Sequence, residues 1–296
     1  MFQISLDTET GNKMGNALLP IIFVIFWAAG FTFAKMGLQS ASPFTLLCLR
    51  YACAVILFLP IFLLLRPALP TTRRAWLNVG ITGLMMQVVF FTFVYHAIVF
   101  GVTAGTIAVI ASLQPILVGI FAPRFTGDQV SRLQWFGLIL GLIGAVVVVS
   151  QTSVVGFEAV GGILLGIFAL LTMTFVTLFE KRSGTNVHPV SANLIQFAVG
   201  LIVTAPFALI FEGFAFEPTR ELAVSVAYLV ICNSFISVTI LLYLVRVGEV
   251  HKVSALFFLV PPSAAIISYL LIGETLTTLA FAGVALAAIG VFLVRR

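Results

Sequence analysis

FTLLCLRYACAVILFLPIFLLL, residues 44–65, is apolar around its whole circumference and holds a single charge, Arg50. A helix rising 1.5 Å per residue needs about twenty residues to cross a hydrocarbon core of about 30 Å. A barrel strand of the same protein class would alternate apolar and polar positions over about ten residues; this run does not alternate. Hydrocarbon offers no partner to backbone N–H and C=O groups, so a run of this kind satisfies them internally as a spanning helix.

The same kind of text recurs along the chain. Ten apolar windows can be read: 17–34, 44–65, 75–97, 102–121 and 133–149, then 161–179, 189–211, 222–245, 253–272 and 276–294. Of the 296 residues, 61% are hydrophobic and only 8% charged, and the mean hydropathy is +1.21. A soluble domain carries about a quarter of its residues as charges, so most of this surface faces lipid. The expected fold class is an all-α integral membrane protein, one membrane domain with no loop large enough to fold separately. Residues 1–16, MFQISLDTETGNKMGN, lack the basic start and small-residue cleavage site of a secretory signal. They read as a short cytoplasmic tail.

Of the 15 Lys and Arg, all but Lys35, Arg50 and Arg220 fall in the tail, the closing residues or the connections on the tail's side of the membrane. That bias orients the chain with both termini cytoplasmic in the plasma (inner) membrane. It also accounts for the net charge of +5 without nucleic acid as a partner. Cys48, Cys53 and Cys232 sit inside apolar windows with no metal or redox spacing, and no cofactor is expected.

A shift of 146 positions carries Lys35 onto Lys181, Pro43 onto Pro189, Pro60 onto Pro206 and Pro115 onto Pro261. It also carries Gly127 onto Gly273, Gly137 onto Gly283, Gly144 onto Gly290, and the acid Asp128 onto the acid Glu274. The text from Tyr95 to Val102 matches less well, which calls for small compensating gaps. The repeat, 17–150 and 161–294, holds five windows per copy, and an odd number inserts the second copy upside down. The expectation is therefore ten transmembrane helices as two inverted five-helix repeats. Inverted repeats recur in secondary transporters whose binding site lies near the midplane between the halves.

Several residues invite a role. Arg50 lies about 9 Å from the outer end of its window at 1.5 Å per residue, close enough to snorkel to the interface; facing the outer vestibule, it would attract anionic groups. Pro115 and Pro261 occupy equivalent mid-window positions, where each removes a backbone hydrogen bond and bends its helix. Carbonyls freed in this way need protein or cavity water, so the pair predicts two pivoting helices beside a cavity, with simple packing as the rival reading. Gly137, Gly141 and Gly144, echoed by Gly283, Ala287 and Gly290, put small residues on one helix face. Internal packing is the expected use; a homo-oligomer seam is the alternative.

WAAGFTFAK (residues 27–35), Ser42-Pro43, Leu49-Arg50 and YHAIVFGVTAGTIAVIASLQPILVGIF (95–121), closed by Gly127, Asp128, Gly137 and Gly144, resemble the EamA-type branch of the Drug/Metabolite Transporter superfamily. The second copy repeats the pattern in VSALFFLVPPSAAIISYLLIGETL (253–276), Gly283 and Gly290. Asp128 stands where that family usually has Glu, and Pro262 adds a second proline. The resemblance implies a ten-helix permease for amino acids, related metabolites or drugs. Its central cavity would be lined by the first, third and fourth helices and their repeat mates.

On those helices Trp27, Tyr95, His96, Gln114, Tyr228, Asn233, Ser234 and Tyr243 are the candidate substrate-binding residues, with Lys35 and Arg50 as a charged vestibule. Singly, each reads better as interhelical glue; as a set they mark the expected lining. His96 has no intramembrane acid to form a proton relay with. The expected partners are a small-molecule substrate and the lipid bilayer, and the expected function is export by alternating access. An intramembrane enzyme would need a Ser–Lys, paired-acid or His/Glu constellation, which the text lacks; a channel would need a filter or a ring of charges.

Overall fold

The computed structural model describes residues 9–102, 104–150, 160–183, 187–272 and 278–295. The described residues are helical throughout apart from short connections and one isolated antiparallel bridge, Ala41 to Phe216. Seven helices have the length and apolar character to cross a membrane: Leu18–Gly37, Pro43–Leu65, Arg73–Val99, Thr106–Phe125, Val160–Ser183, Pro189–Glu212 and Arg220–Val247. Arg132–Val147 and Phe281–Val294 are shorter apolar helices, and a further helical run covers Val250–Ser254, Ala255–Leu259 and Val260–Ile272. The first helix begins at Glu9, ahead of the apolar window expected from residue 17.

The surface is far more apolar than that of a soluble protein, while several polar side chains lie inside with the hydrophobic core. Leu64, Ile210, Phe211, Ile202 and Ile56 are each at least 70% exposed, whereas Gln87, Gln196, Asn193, Ser234 and Ser237 are buried. Lipid solvates the first set at no cost, and the second avoids hydrocarbon by turning inward.

Helix ends are set by local chemistry. Pro43 and Pro189 each open a helix at its first turn, where proline's missing N–H has no intrahelical partner to lose. The Ser42 side chain makes no capping bond. Glu212, at the end of the Pro189–Glu212 helix, caps instead: Oε1 accepts from Phe44 N at 3.0 Å, and Oε2 accepts from Thr45 N at 2.7 Å and Thr45 Oγ1 at 2.8 Å. The carboxylate thus meets the positive end of the neighbouring helix. Thr72 and Thr219 cap their helices by accepting from Ala75 N and Leu222 N, each at 3.1 Å.

Four long pairings organise the core. Pro43–Leu65 packs along Pro189–Glu212, and Arg132–Ser150 along Thr278–Arg295. Glu9–Gly37 packs along Arg220–Val247, and Val160–Ser183 along Arg73–Val99. In the Arg132–Ser150 pairing the small-residue rows face each other. A Cβ placed on Gly144 would lie 2.4 Å from Ala287 N, and one on Gly290 2.4 Å from Gly141 N. The rows bring two backbones of one chain together, which is the internal packing expected of them.

Candidate functional site

Arg50 corrects the sequence expectation. It does not reach an interface: the side chain is fully enclosed, with 0% exposure. Its helix is rotated so that the guanidinium points at the Arg220–Val247 helix, which supplies two acceptors one residue apart. Nε donates to Ser234 Oγ at 2.8 Å, Nη2 to Asn233 Oδ1 at 2.8 Å, and Nη1 to Tyr95 OH at 3.2 Å. The guanidinium carbon lies 4.0 Å above the centre of the Phe91 ring, a cation–π contact. All the oxygen partners are neutral. The ion pairs among the described residues are Arg246–Glu180 and Lys252–Glu249, with the His251 ring 3.3 Å from Glu249, and none involves Arg50.

Beside Arg50 lies a cavity of about 10 Å³ lined by Trp27, Phe31, Phe90, Phe91, Tyr95 and Asn233, among others. It has room for roughly one water molecule. A second cavity of about 10 Å³ is lined by Gln114, Ala169, Met173 and Phe257, together with Phe31, Phe90 and Val94, which it shares with the first. Gln114 donates through Nε2 to Thr177 Oγ1 at 2.9 Å, while its Oε1 is buried without a partner. Trp27 packs against Phe23, Phe90, Phe91 and Phe257 at centroid distances of 5.5 to 6.3 Å. This is an aromatic chamber, closed in this conformation, with one cation in its wall.

The candidate set therefore divides. Trp27, Tyr95, Asn233 and Ser234 gather around Arg50, and Gln114 borders the adjoining cavity. Tyr228 stacks on Phe33 at 3.8 Å and donates to Phe26 O at 3.3 Å, His96 bonds Thr92 O through Nδ1 at 2.8 Å, and Tyr243 is 40% exposed. None of these three lines either cavity. Lys35 is exposed at the end of its helix, so it shares no vestibule with the enclosed Arg50.

At Pro115 the helix is interrupted: Ala104–Ser112 stops, Leu113 forms a turn, and Gln114–Phe125 begins. At Pro261 the preceding turn, Ala255–Leu259, tightens to a 3-10 helix. Two further irregularities carry no proline. Leu84–Phe90 and Leu229–Val238 are π-helical, and they overlap under the same 146-residue shift. Each presents cavity residues, Phe90 from one and Leu229 and Asn233 from the other. The only sequence signal for them is their equivalence in the repeat.

A second buried charge cluster also escapes the sequence reading. Glu180, 2% exposed, accepts from Arg246 Nε at 2.6 Å and from Thr82 Oγ1 at 3.0 Å. Arg246 Nη1 donates to Val187 O at 2.8 Å, and Lys181 Nζ to Gly248 O at 2.7 Å. Together they tie Arg73–Val99, Val160–Ser183 and Arg220–Val247 at one end. In the sequence, Lys181 and Arg246 read only as topology charges, because their partners lie far away along the chain.

The model of the EamA-like transporter family matches this chain twice, over residues 14–150 and 160–296. The chain belongs to the EamA-like transporter family. Its similarity to several curated transporters runs nearly end to end. It is 27% identical over 289 residues to a probable amino-acid metabolite efflux pump of Salmonella typhimurium, covering 94% of each chain. It is 25% identical over 283 residues to the uncharacterized transporter YvbV of Bacillus subtilis, covering 95% of this chain and 92% of that one. It is 24% identical over 282 residues to the uncharacterized inner membrane transporter YedA of Escherichia coli K12, covering 94% and 91%. A solved crystal structure shares the fold with a TM-score of 0.78 at 18% identity, over 94% of this chain and 96% of the other. The chain is thus a multi-pass membrane protein of transporter type.

Proposed function

We propose that this EamA protein is a permease that exports small organic metabolites by alternating access. In this reading ten crossings form two inverted five-helix halves, 17–150 and 161–294, with the basic face and both termini cytoplasmic in the inner membrane. The observation that carries the reading is the closed aromatic chamber at Arg50, whose walls come from both halves of the chain. The paired packing supports the inversion. Under the 146-residue shift the Glu9–Gly37 contact with Arg220–Val247 becomes the contact of Val160–Ser183 with Arg73–Val99. The two remaining long pairings map onto themselves.

Pro115, Pro261 and the two π-helical segments put backbone irregularities around the chamber, and such segments are where a packed helix bends at little cost. Amino-acid metabolites are the first solutes to try, since the Salmonella relative's name points to them. The test is counterflow of a panel of labelled amino acids in proteoliposomes. Protein-dependent flux that saturates supports the permease. Flux linear in concentration would favour a channel, and chemical conversion of the solute an enzyme.

A further inference from the structure

Resting on that permease reading, we infer that Arg50 is the binding group for a solute carboxylate, so the protein carries organic acids with an apolar body. Arg50 sits at 0% exposure in a chain whose outer surface faces lipid. Arginine keeps its charge in proteins and presents five N–H donors. Three groups accept from it, Ser234, Asn233 and Tyr95, which leaves donors unused and the charge unneutralised. A buried cation held by neutral acceptors and one aromatic face is still costly, because these dipoles replace water incompletely. A charge retained at that position in a membrane protein calls for a partner, and no acid among the described residues forms an ion pair with it.

The missing partner has a place to stand. Arg50 lines the water-sized cavity together with Trp27 and Phe90, and a carboxylate entering there would engage its remaining donors in the planar, two-point geometry that arginine favours. Beyond the head group the walls are aromatic and aliphatic. Phe31, Phe90 and Val94 alone line both cavities, so movement of those side chains joins the two spaces to receive an apolar body. Asn233, Ser234 and Tyr95 hold the guanidinium in position. Asn233 and Ser234 lie on the π-helical segment Leu229–Val238, so bending there would move the acceptors relative to Arg50. Substrate binding and helix movement are linked at this point.

The test uses the purified full-length protein and two matched pairs of probes, 3-phenylpropionate with 3-phenylpropionamide and L-phenylalanine with L-phenylalaninamide. Each amide keeps the body and loses the carboxylate, L-phenylalaninamide retaining its amino group. Titration calorimetry on the wild type is expected to show each acid binding at least tenfold more tightly than its amide. That comparison needs no variant to fold. In Arg50→Gln the preference is expected to collapse to within about twofold, and Arg50→Lys to restore part of it through charge without the planar fork. Equal binding of acid and amide, an acid preference that survives Arg50→Gln, or no binding of either acid would each overturn the inference. Stabilisation by chloride alone equal to that by the acids would overturn it in favour of an inorganic anion. Saturable counterflow of neutral or cationic solutes with no acid preference would remove Arg50's role while leaving the permease standing. Absence of saturable counterflow for every solute would instead remove the permease.

Discussion

Replacing Gly290 by alanine adds one carbon where the neighbouring helix has no side chain to move. The new Cβ would lie 2.4 Å from Gly141 N, 2.6 Å from Gly141 Cα and 2.7 Å from Gly137 O. Comfortable carbon contacts lie at about 3.5 to 4.0 Å, so the Arg132–Ser150 and Thr278–Arg295 helices must part locally by about 1 Å. Overpacking of this kind costs about 1 to 3 kcal/mol, and backbone neighbours put it at the upper end. Alanine regains about 1 kcal/mol of helix propensity over glycine, leaving a net loss of about 2 kcal/mol. For a chain this large that corresponds to a fall of about 2 to 4 °C in apparent Tm. Gly80 is the matched control: it sits in a helix with nothing within 4 Å of its added Cβ, so Gly80→Ala should raise Tm by about 1 to 2 °C. Both are read by thermal unfolding of purified protein, with size-exclusion chromatography alongside. A Gly290→Ala protein as stable as wild type would refute the backbone contact. A change confined to oligomeric state would reassign the glycine row to a seam between copies.

Three further outcomes test the rest of the structure. Glu180→Gln should destabilise by about 3 kcal/mol, the lower end for a broken buried pair, because Arg246 keeps Val187 O as an acceptor; strict additivity with Arg246→Gln in a double-mutant cycle would dissolve the pair. Pro115→Ala restores an N–H at the break after Ser112, and is expected to slow counterflow severalfold if that helix pivots; undiminished flux would end the pivot. Burial holds the His251 imidazole below its ordinary value of 6.5, and Lys252 adds to this, while Glu249 and Asp128 pull it upward. The unfolded chain therefore takes up the proton first as pH falls. The stability contributed is full above about pH 6.5 and is lost as pH falls through the lowered folded value. Wild-type Tm should drop between pH 7.5 and 5.5 by more than that of His251→Gln, and parallel profiles would contradict this.

Much of the fold is legible in the sequence because lipid imposes strict rules. A window of about twenty apolar residues has one way to satisfy its backbone in hydrocarbon, and residues 44–65 declare themselves on that ground alone. Pro43 and Pro189 mark helix starts because proline costs little there. Gly137, Gly141, Gly144 and Gly290 mark close approach because only a missing Cβ permits it. The resemblance to EamA transporters rested on the order and duplication of these signs, and the family match bears it out.

Tertiary structure alone decided where the charges went. A lone arginine in an apolar window can reach outward to the interface or inward to acceptors, and helix rotation chooses between them. That rotation is set by packing against a helix whose Asn233 lies 183 positions away, a separation that no local pattern encodes. Glu180 and Arg246 met for the same reason, 66 positions apart. The π-helical segments beside the chamber were likewise not legible in the sequence, since no proline in Leu84–Phe90 or Leu229–Val238 marks them. Solvent selects which residues can cross the membrane, and so composition tells of it. Which side chains then face one another depends on the mutual rotation of packed helices, which only the folded chain determines.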